Sequence, residues 1–405
     1  MASGLTAART IAESPSSNAP LRPKSIAAIV TAYQTGLHAD VLVGKILEGW
    51  KQDGGPGPAL RLASMYVDQF PEGDLARPLA AKHKVPIFPS IEQALSLGQS
   101  RIAVDGVISI GEHGDYPWNK KQQHLYPRRR FFESIAAAFE KFGNVVPVFN
   151  DKHLGPEWED ALWMYQRAQQ LKIPFMAGSS MPVGFRVPDQ TLPLGSGLEA
   201  VVGIGYSGLD IYGSHALELL QSLVERRQGA ETGVAWVQCL QGKALWRYVD
   251  SDAFRRDLLD AALAITPHVV DTDFRRCAEA TLFRFQYYDG LPAAVLMLPG
   301  FAQGTAVAVR LRGQAKPLAI RFDEQTQPRH PHFAYLLKAI EKMVHTGRPS
   351  YPVERTLLTT GILDRALTSL HEGQKRRETP ELAINYQPVD YPHAPQPVLD
   401  SDPRG

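Results

Sequence analysis

Ile29-Val30-Thr31-Ala32-Tyr33-Gln34-Thr35-Gly36-Leu37-His38-Ala39 joins a short apolar strand, Ile26–Val30, to a helix running from about His38 to Trp50. In that helix Val41, Leu42, Ile46 and Leu47 recur at helical spacing. A first strand turning into a first helix is where a dinucleotide-binding fold carries G-x-G-x-x-G, which lets the backbone approach a pyrophosphate. Here the three glycine positions read Val30, Ala32 and Thr35. The frame of the motif is present and its glycines are not. Side chains then stand where the pyrophosphate would come close, while Gly36 can still make the turn and the helix N-terminus remains an anion site. Two outcomes stay open: a rebuilt dinucleotide site using Ala32, Thr35, Gly36 and His38, or an abandoned one.

Outward from this turn, strands and helices alternate. Asp53-Gly54-Gly55-Pro56-Gly57-Pro58 breaks the first helix, and Leu60–Val67 reads as a second strand ending at Asp68. An acid at that end is where such folds hold the adenosine ribose, and it favours NAD over NADP because a 2′-phosphate is repelled. A helix over about Asp74–Lys84, a third strand Val85–Phe88, a helix from Ser90, a fourth strand Ala103–Ile110 and a fifth Val145–Phe149 follow. This alternation predicts a doubly wound parallel sheet covered on both faces. From about Val201 the pattern changes to extended stretches, Gly233–Tyr248, Thr281–Tyr288, Ala293–Leu298 and Thr305–Leu311, with helices near Asp210–Arg227, Ala253–Ile265 and His332–His345. The expected organisation is a disordered tail over 1–24, a Rossmann-like unit over 25–152, and an α+β unit with a mostly antiparallel open sheet over 153–352. A closing helix over 353–370 packs back on the first unit, and an extended tail covers 371–405.

Composition narrows the function classes. At 405 residues the chain is long enough for two domains. A hydrophobic share of 44% against 21% charged residues is that of a soluble globular enzyme. A net charge of +1 leaves no electrostatic footprint for nucleic acid, and no apolar run is long enough to span a membrane. Cys239 and Cys277 are far apart, lack metal-ligand spacing and read as inert thiols in a reducing, cytoplasmic setting. Residues 1–24 lack the apolar stretch of a secretory signal; they read as a disordered tail, with an acid-poor targeting peptide as the alternative.

The loop after the fourth strand, Gly111-Glu112-His113-Gly114-Asp115-Tyr116-Pro117-Trp118-Asn119, is dense in ionisable groups. In open parallel sheets the ligand crevice lies at the carboxyl ends of the strands. Glu112, His113, Asp115 and Asn119 are therefore placed at that crevice, beside Asp151 and His153 at the end of the next strand. Substrate contact is the favoured role for them. A divalent metal on Glu112, His113, Asp151 and His153 and a purely structural polar network are the alternatives. Pro127 reads as the start of a helix ending near Gly143, which puts Arg128, Arg129 and Arg130 in a first turn where the macrodipole disfavours cations. Three cations there call for anionic partners: a substrate or cofactor group contacting Arg128, or an internal acid such as Glu112. A solvated face is the competing reading.

With these residues placed, the chain resembles the Gfo/Idh/MocA family, the relatives of glucose–fructose oxidoreductase and inositol dehydrogenase. Leu37-His38-Ala39 is similar to the family's "HA" after the glycine turn, and Asp74–Phe88 to its helix-to-strand segment. Asn150-Asp151-Lys152-His153-Leu154 falls where the family has "EKPLA", and Tyr351–Leu358 resembles its closing helix. The resemblance implies a reacting set of lysine, aspartate and histidine. Lys152 falls on the lysine, and Asp210-Ile211-Tyr212-Gly213-Ser214-His215 on the acid and histidine, with one residue too many between them. It further implies a homo-oligomer and an NAD(P)-dependent oxidoreductase of a sugar, cyclitol or related small polyhydroxyl compound, with Asp68 on the ribose. A non-redox lyase, hydratase, epimerase or hydrolase on the same scaffold is the alternative, followed by a non-catalytic sugar-binding protein.

Overall fold

The computed structural model describes residues 22–395. The expected tail over 1–24 lies outside the described residues apart from 22–24, as do residues 396–405. The chain opens with β1 (Lys24–Val30), α1 (His38–Glu48), β2 (Leu60–Val67), α2 (Ala76–His83), α3 (Ile91–Ser96), β3 (Gly106–Ile110), α4 (Arg128–Phe142), β4 (Val148–Asp151), α5 (Trp158–Leu171) and β5 (Phe175–Gly178). The five strands form one parallel sheet in the order β2-β1-β3-β4-β5. β1 and β3 are buried almost throughout, as expected of parallel strands covered on both faces. Strand order reverses between β1 and β3, so the crevice lies where the loops after these two strands part.

Two expectations for this sheet need correction. Val85–Phe88 is not a strand; Ile87 makes a single bridge to Met65 before Ser90 caps α3 through Gln93 N. Pro86 has no N–H to give to a ladder, and the following helix leaves no length for one. The sheet also does not end at residue 152, because β5 pairs with β4 along its whole length.

The second sheet has eight strands: β6 (Arg186–Val187), β7 (Leu198–Gly205), β8 (Val234–Gln241), β9 (Thr281–Tyr287), β10 (Pro292–Met297), β11 (Ala306–Leu311), β12 (Leu318–Phe322) and β13 (Arg377–Glu378). Their order is β13-β8-β9-β10-β7-β11-β12-β6, with β10–β7 the parallel pair and the other pairs antiparallel. Between β7 and β8 lies α6 (Ile211–Val224), and between β8 and β9 lie α7 (Gly242–Val249) and α8 (Arg256–Ile265). The extended reading of Gly233–Tyr248 therefore holds only to Gln241. Gly242, at φ +56°, breaks the strand, and Leu245 and Val249 then bury one helical face. α8 buries Leu258, Leu259 and Ala262 in one cluster with Val202, Ile204, Leu296 and Ala308 of the sheet.

After β12 come α9 (His332–Thr346) and α10 (Glu354–His371). α9 falls in the stretch expected to form the second unit, yet Leu336, Leu337, Ile340 and Met343 share a core with Ile26, Ala28, Val30 and Leu42 of the first. α10 lies against α5, α6 and β8, bridging both sheets. A single cluster joins Ala27, Val107 and Phe131 to Leu217, Phe283 and Val295, so the hydrophobic core does not divide at residue 152. The extended tail expected from 371 is, over its described residues, partly built into the fold. β13 pairs with β8, while Thr379, Leu382 and Ala394 are buried. Among the described residues no helix is long and apolar enough to cross a membrane.

Candidate active site

Two strand ends aim the central groups. Beyond β3, the Thr31 hydroxyl donates to the Glu112 carbonyl, tying the crevice loops together. His113 is held at φ +69°. Beyond β4, Lys152 stands at φ +68° and its N–H donates to Gly178 O at 3.0 Å. Left-handed backbone is uncommon outside glycine and costs on the order of 1–3 kcal/mol, a strain that clusters at functional sites. Gly178 permits this: it sits at φ +118°, and a Cβ there would lie 2.7 Å from Glu218 Oε2 and 2.8 Å from Thr356 Oγ1.

Lys152, 3% exposed, places Nζ 2.7 Å from His215 Nε2 and 3.2 Å from Glu112 Oε1. His215 stands just inside the start of α6. His38, the first residue of α1, brings Nδ1 to Asp151 Oδ2 at 2.7 Å, and its ring centre lies 5.8 Å from that of His113. The structure thus brings together Lys152, His215, Glu112, His113, Asp151 and His38. Burial pushes the Glu112 carboxyl up, but Lys152, His38, His113 and Arg128 outweigh it and hold the group well below the usual range. Burial lowers His113 to about 4. Burial and then Lys152 hold His215 well below the usual histidine value, so its imidazole is neutral near pH 7.

Arg128, fully buried, forms a second group with His153 and Asp210. Arg128 Nη1 lies 3.1 Å from His153 Nε2, while His153 Nδ1 donates to Gly155 O at 2.8 Å. Asp210 Oδ2 accepts from His124 N at 2.9 Å, and Oδ1 stands 3.7 Å from His153 Nε2. Asp210 therefore touches His153 rather than the Lys152–His215 pair. The four-residue metal set of Glu112, His113, Asp151 and His153 does not assemble either, because His153 spends its nitrogens on Gly155 and Arg128.

Burial pushes the Asp210 carboxyl up to about 6, with the His124 N–H and Arg128 opposing. An unfolded aspartate titrates near 3.9, so between about pH 4 and 6 the folded chain keeps a proton that the unfolded chain has released. Stability falls as pH rises through that window, and a deficit of roughly 2–3 kcal/mol persists above it. Asp210→Asn retains an acceptor for His124. It is expected to melt above the parent protein at pH 8 and alike near pH 4; a pH-independent difference would contradict the assignment.

The three arginines of the α4 first turn all have internal partners. Arg128 Nη2 is 4.0 Å from Glu112. Arg129 pairs with Glu133 and Asp160 and lies over the Trp163 ring. Arg130 reaches Asp68 at 2.6 Å. Pro127 is the residue before the helix rather than its first.

At the glycine-poor turn, Val30 is part of the hydrophobic core, Ala32 is buried and Thr35 is exposed. Gly36 takes φ +76° with open space around it, though its N–H is engaged by Asp40 Oδ2 at 2.8 Å. Asp68 is more crowded: Tyr66, Tyr116 and Arg130 each donate to its carboxylate at 2.6 Å. Gln69 and the Asp115 backbone exchange two further hydrogen bonds. Asn119 caps its own turn through Lys121 N and Gln123 N. Asp115 and Asn119 thus fasten the loop rather than line the Lys152 centre.

A cavity of about 790 Å³ opens beside this centre, lined by Trp118, Tyr206, Asp210, Tyr212, Gln241 and Glu279 among others. It reaches the Arg128 group at Asp210 and approaches the centre at Tyr212, whose ring lies 6.0 Å from that of His215. Sequence reading missed Tyr206 and Tyr212. Tyr206 directly follows the end of β7 and Tyr212 stands in the first turn of α6, and those positions were the available signal.

No family model matches the chain, and no curated protein matches it in sequence. Solved structures match over most of its length. The chain is similar to GenD2 from gentamicin A biosynthesis, solved in complex with NAD, at 13% identity over 91% of this chain and 99% of that one, TM-score 0.56. It is similar to a myo-inositol dehydrogenase from Corynebacterium glutamicum at 13% identity, 88% and 98% coverage and TM-score 0.51. Scyllo-inositol dehydrogenase from Lactobacillus casei aligns at 10% identity, 88% and 98% coverage and TM-score 0.53. The fold implied by the resemblance to inositol dehydrogenase relatives is the fold observed.

Proposed function

We propose that the chain is an NAD(P)-linked oxidoreductase of a small polyhydroxyl compound, a sugar or cyclitol. The observation that carries this is the 2.7 Å contact between Lys152 Nζ and His215 Nε2 at the carboxyl edge of a parallel sheet, in the fold of NAD-bound GenD2. The residues fit a dinucleotide along the turn, where Gly36 leaves open space beneath the start of α1. At the far end Asp68 stands where ribose hydroxyls are held, and they fit once they take the place of the Tyr116 hydroxyl. The dinucleotide, when bound, supplies the hydride acceptor or donor.

A substrate hydroxyl that displaces the direct Lys152–His215 contact would accept a hydrogen bond from the ammonium and give its proton to the freed nitrogen of the neutral imidazole. Glu112 pairs with the ammonium at 3.2 Å. Asp151 holds His38 against the same crevice.

The crowding of Asp68 and the Asp40–Gly36 contact favour a second reading. In it the same Lys152–His215 pair serves a lyase, hydratase or epimerase that moves protons without a dinucleotide. Calorimetric titration with NAD(H) and NADP(H) separates the two. The redox reading expects one dinucleotide per chain, bound more tightly in Tyr116→Phe by up to about tenfold, since one competing hydrogen bond to a charged group is removed. No binding to either protein would leave the non-redox reading standing.

A further inference from the structure

Three ligand-bearing side chains converge where the β1 and β3 loops part. One ligand atom each from His38, Glu112 and His113 lies within 4.8 Å of the other two. His38 comes from the start of α1 and the adjacent Glu112 and His113 from the loop after β3, so the fold brings His38 to the other two. His38 Nδ1 is held by the buried carboxylate of Asp151 at 2.7 Å. A ring nitrogen bonded to a carboxylate fixes the tautomer and leaves the other nitrogen as a lone-pair donor, the usual support of a metal-bound histidine. Glu112 Oε1 faces His113 Nε2 at 3.7 Å and Lys152 Nζ at 3.2 Å. Its Oε2 is buried with no hydrogen-bond partner, and Arg128 Nη2 stands 4.0 Å away.

We propose that His38, Glu112 and His113 bind a divalent transition-metal ion, with Asp151 orienting His38 and Lys152 ion-paired to the ligating carboxylate. Two imidazoles and one carboxylate suit zinc, iron(II) or manganese(II) rather than calcium or magnesium, which favour oxygen ligands. Three protein ligands leave coordination positions open to solvent or substrate oxygen. Lys152 and Arg128 oppose a cation here, but Glu112 and Asp151 balance their charge. The ion's own charge is then unmatched, and the open positions favour a negatively polarised oxygen, such as a deprotonated hydroxyl or an enediolate. An ion so placed polarises a substrate oxygen beside Lys152. The site goes beyond the redox reading and serves either form of the proposed chemistry.

A second cluster, Glu324, His330 and His332, also gathers three such groups, and Glu324 Oε2 there accepts from the Tyr206 hydroxyl at 2.7 Å. It provides an internal control. The test is titration of the full-length, chelator-stripped protein with zinc by calorimetry and with cobalt(II) by visible absorption. One equivalent of zinc per chain and cobalt d–d bands are expected. His113→Ala should weaken binding by about 100-fold or more, and Asp151→Asn by about 10–100-fold, the range for a supporting carboxylate. His330→Ala should bind like the parent protein. His113 is partly exposed, so its truncation spares the core, and His113→Asn is the second variant should alanine unfold the chain. Absence of one-equivalent binding, or binding lost in His330→Ala but kept in His113→Ala, overturns the proposal. Because the readout is metal occupancy, failure here leaves the Lys152–His215 chemistry to be judged by turnover.

Discussion

Lys152→Met should lower turnover by on the order of 10²–10⁴-fold, and His215→Asn by a similar factor, the span for loss of a positioned proton-transfer group. Methionine keeps the length of the lysine stem and removes only the ammonium. The two groups touch at 2.7 Å and act on one proton. The double variant should therefore be only a few-fold worse than the poorer single variant, far from the product of the two losses. A structural role would look different. Lys152→Met leaves Glu112 buried without its nearest cation, so melting temperature falls in any case; the distinguishing quantity is turnover per folded molecule. If either single variant keeps turnover within about tenfold of the parent, the pair is not the reacting centre.

The largest stability effect is expected far from that centre, where α6 meets α10. Arg355 Nε donates to Glu225 Oε2 at 2.9 Å, a second guanidinium nitrogen bonds Oε1, and the Tyr386 hydroxyl donates to Oε2 at 2.8 Å. Arg355 and Glu225 are both buried. Removing one partner strands the other charge, so Glu225→Gln and Arg355→Met should each cost about 3–5 kcal/mol in urea unfolding. The joint Glu225→Met/Arg355→Met variant should recover part of that loss, because neither member of the pair is then left buried without the other, while Tyr386 still loses its acceptor. Additive losses in the joint variant would mean that packing, rather than charge, governs this contact.

Local signals made much of the fold legible. Leu60–Val67 was bounded by the Gly/Pro run before it and Asp68 after it, and it is a strand over those residues. The apolar spacing from His38 located α1. β5 escaped because Phe175-Met176-Ala177-Gly178 is four residues with no alternation and a terminal glycine. α9 was found as a helix but placed in the wrong layer, since periodicity gives a helix its face and not its partner. The site divides in the same way. Strand ends put Glu112, His113, Asp151 and Lys152 at one edge. The pairing of His38 with Asp151, 113 residues apart, and of Asp68 with Tyr116, 48 apart, leaves no trace in local pattern. Asp68 itself was a correct strand end whose three internal donors the sequence could not reveal.

The placement of α9 bears on how the chain is made. β1 and its neighbours precede α9 by some three hundred residues, yet α9, residues 332–346, joins α1 and α2 in the layer that covers one of their faces. The Ala59 N–H and the Glu341 carboxylate that meet across this seam are 282 residues apart. During synthesis the first sheet therefore emerges with α1 and α2 on this apolar face but without α9, which completes its cover. Contacts of such long sequence separation form slowly, and the exposed surface is prone to aggregation in the meantime. The chain should thus depend on a holding chaperone on the ribosome, and fragments ending before residue 332 should be recovered as insoluble protein even though all five parallel strands are present in them.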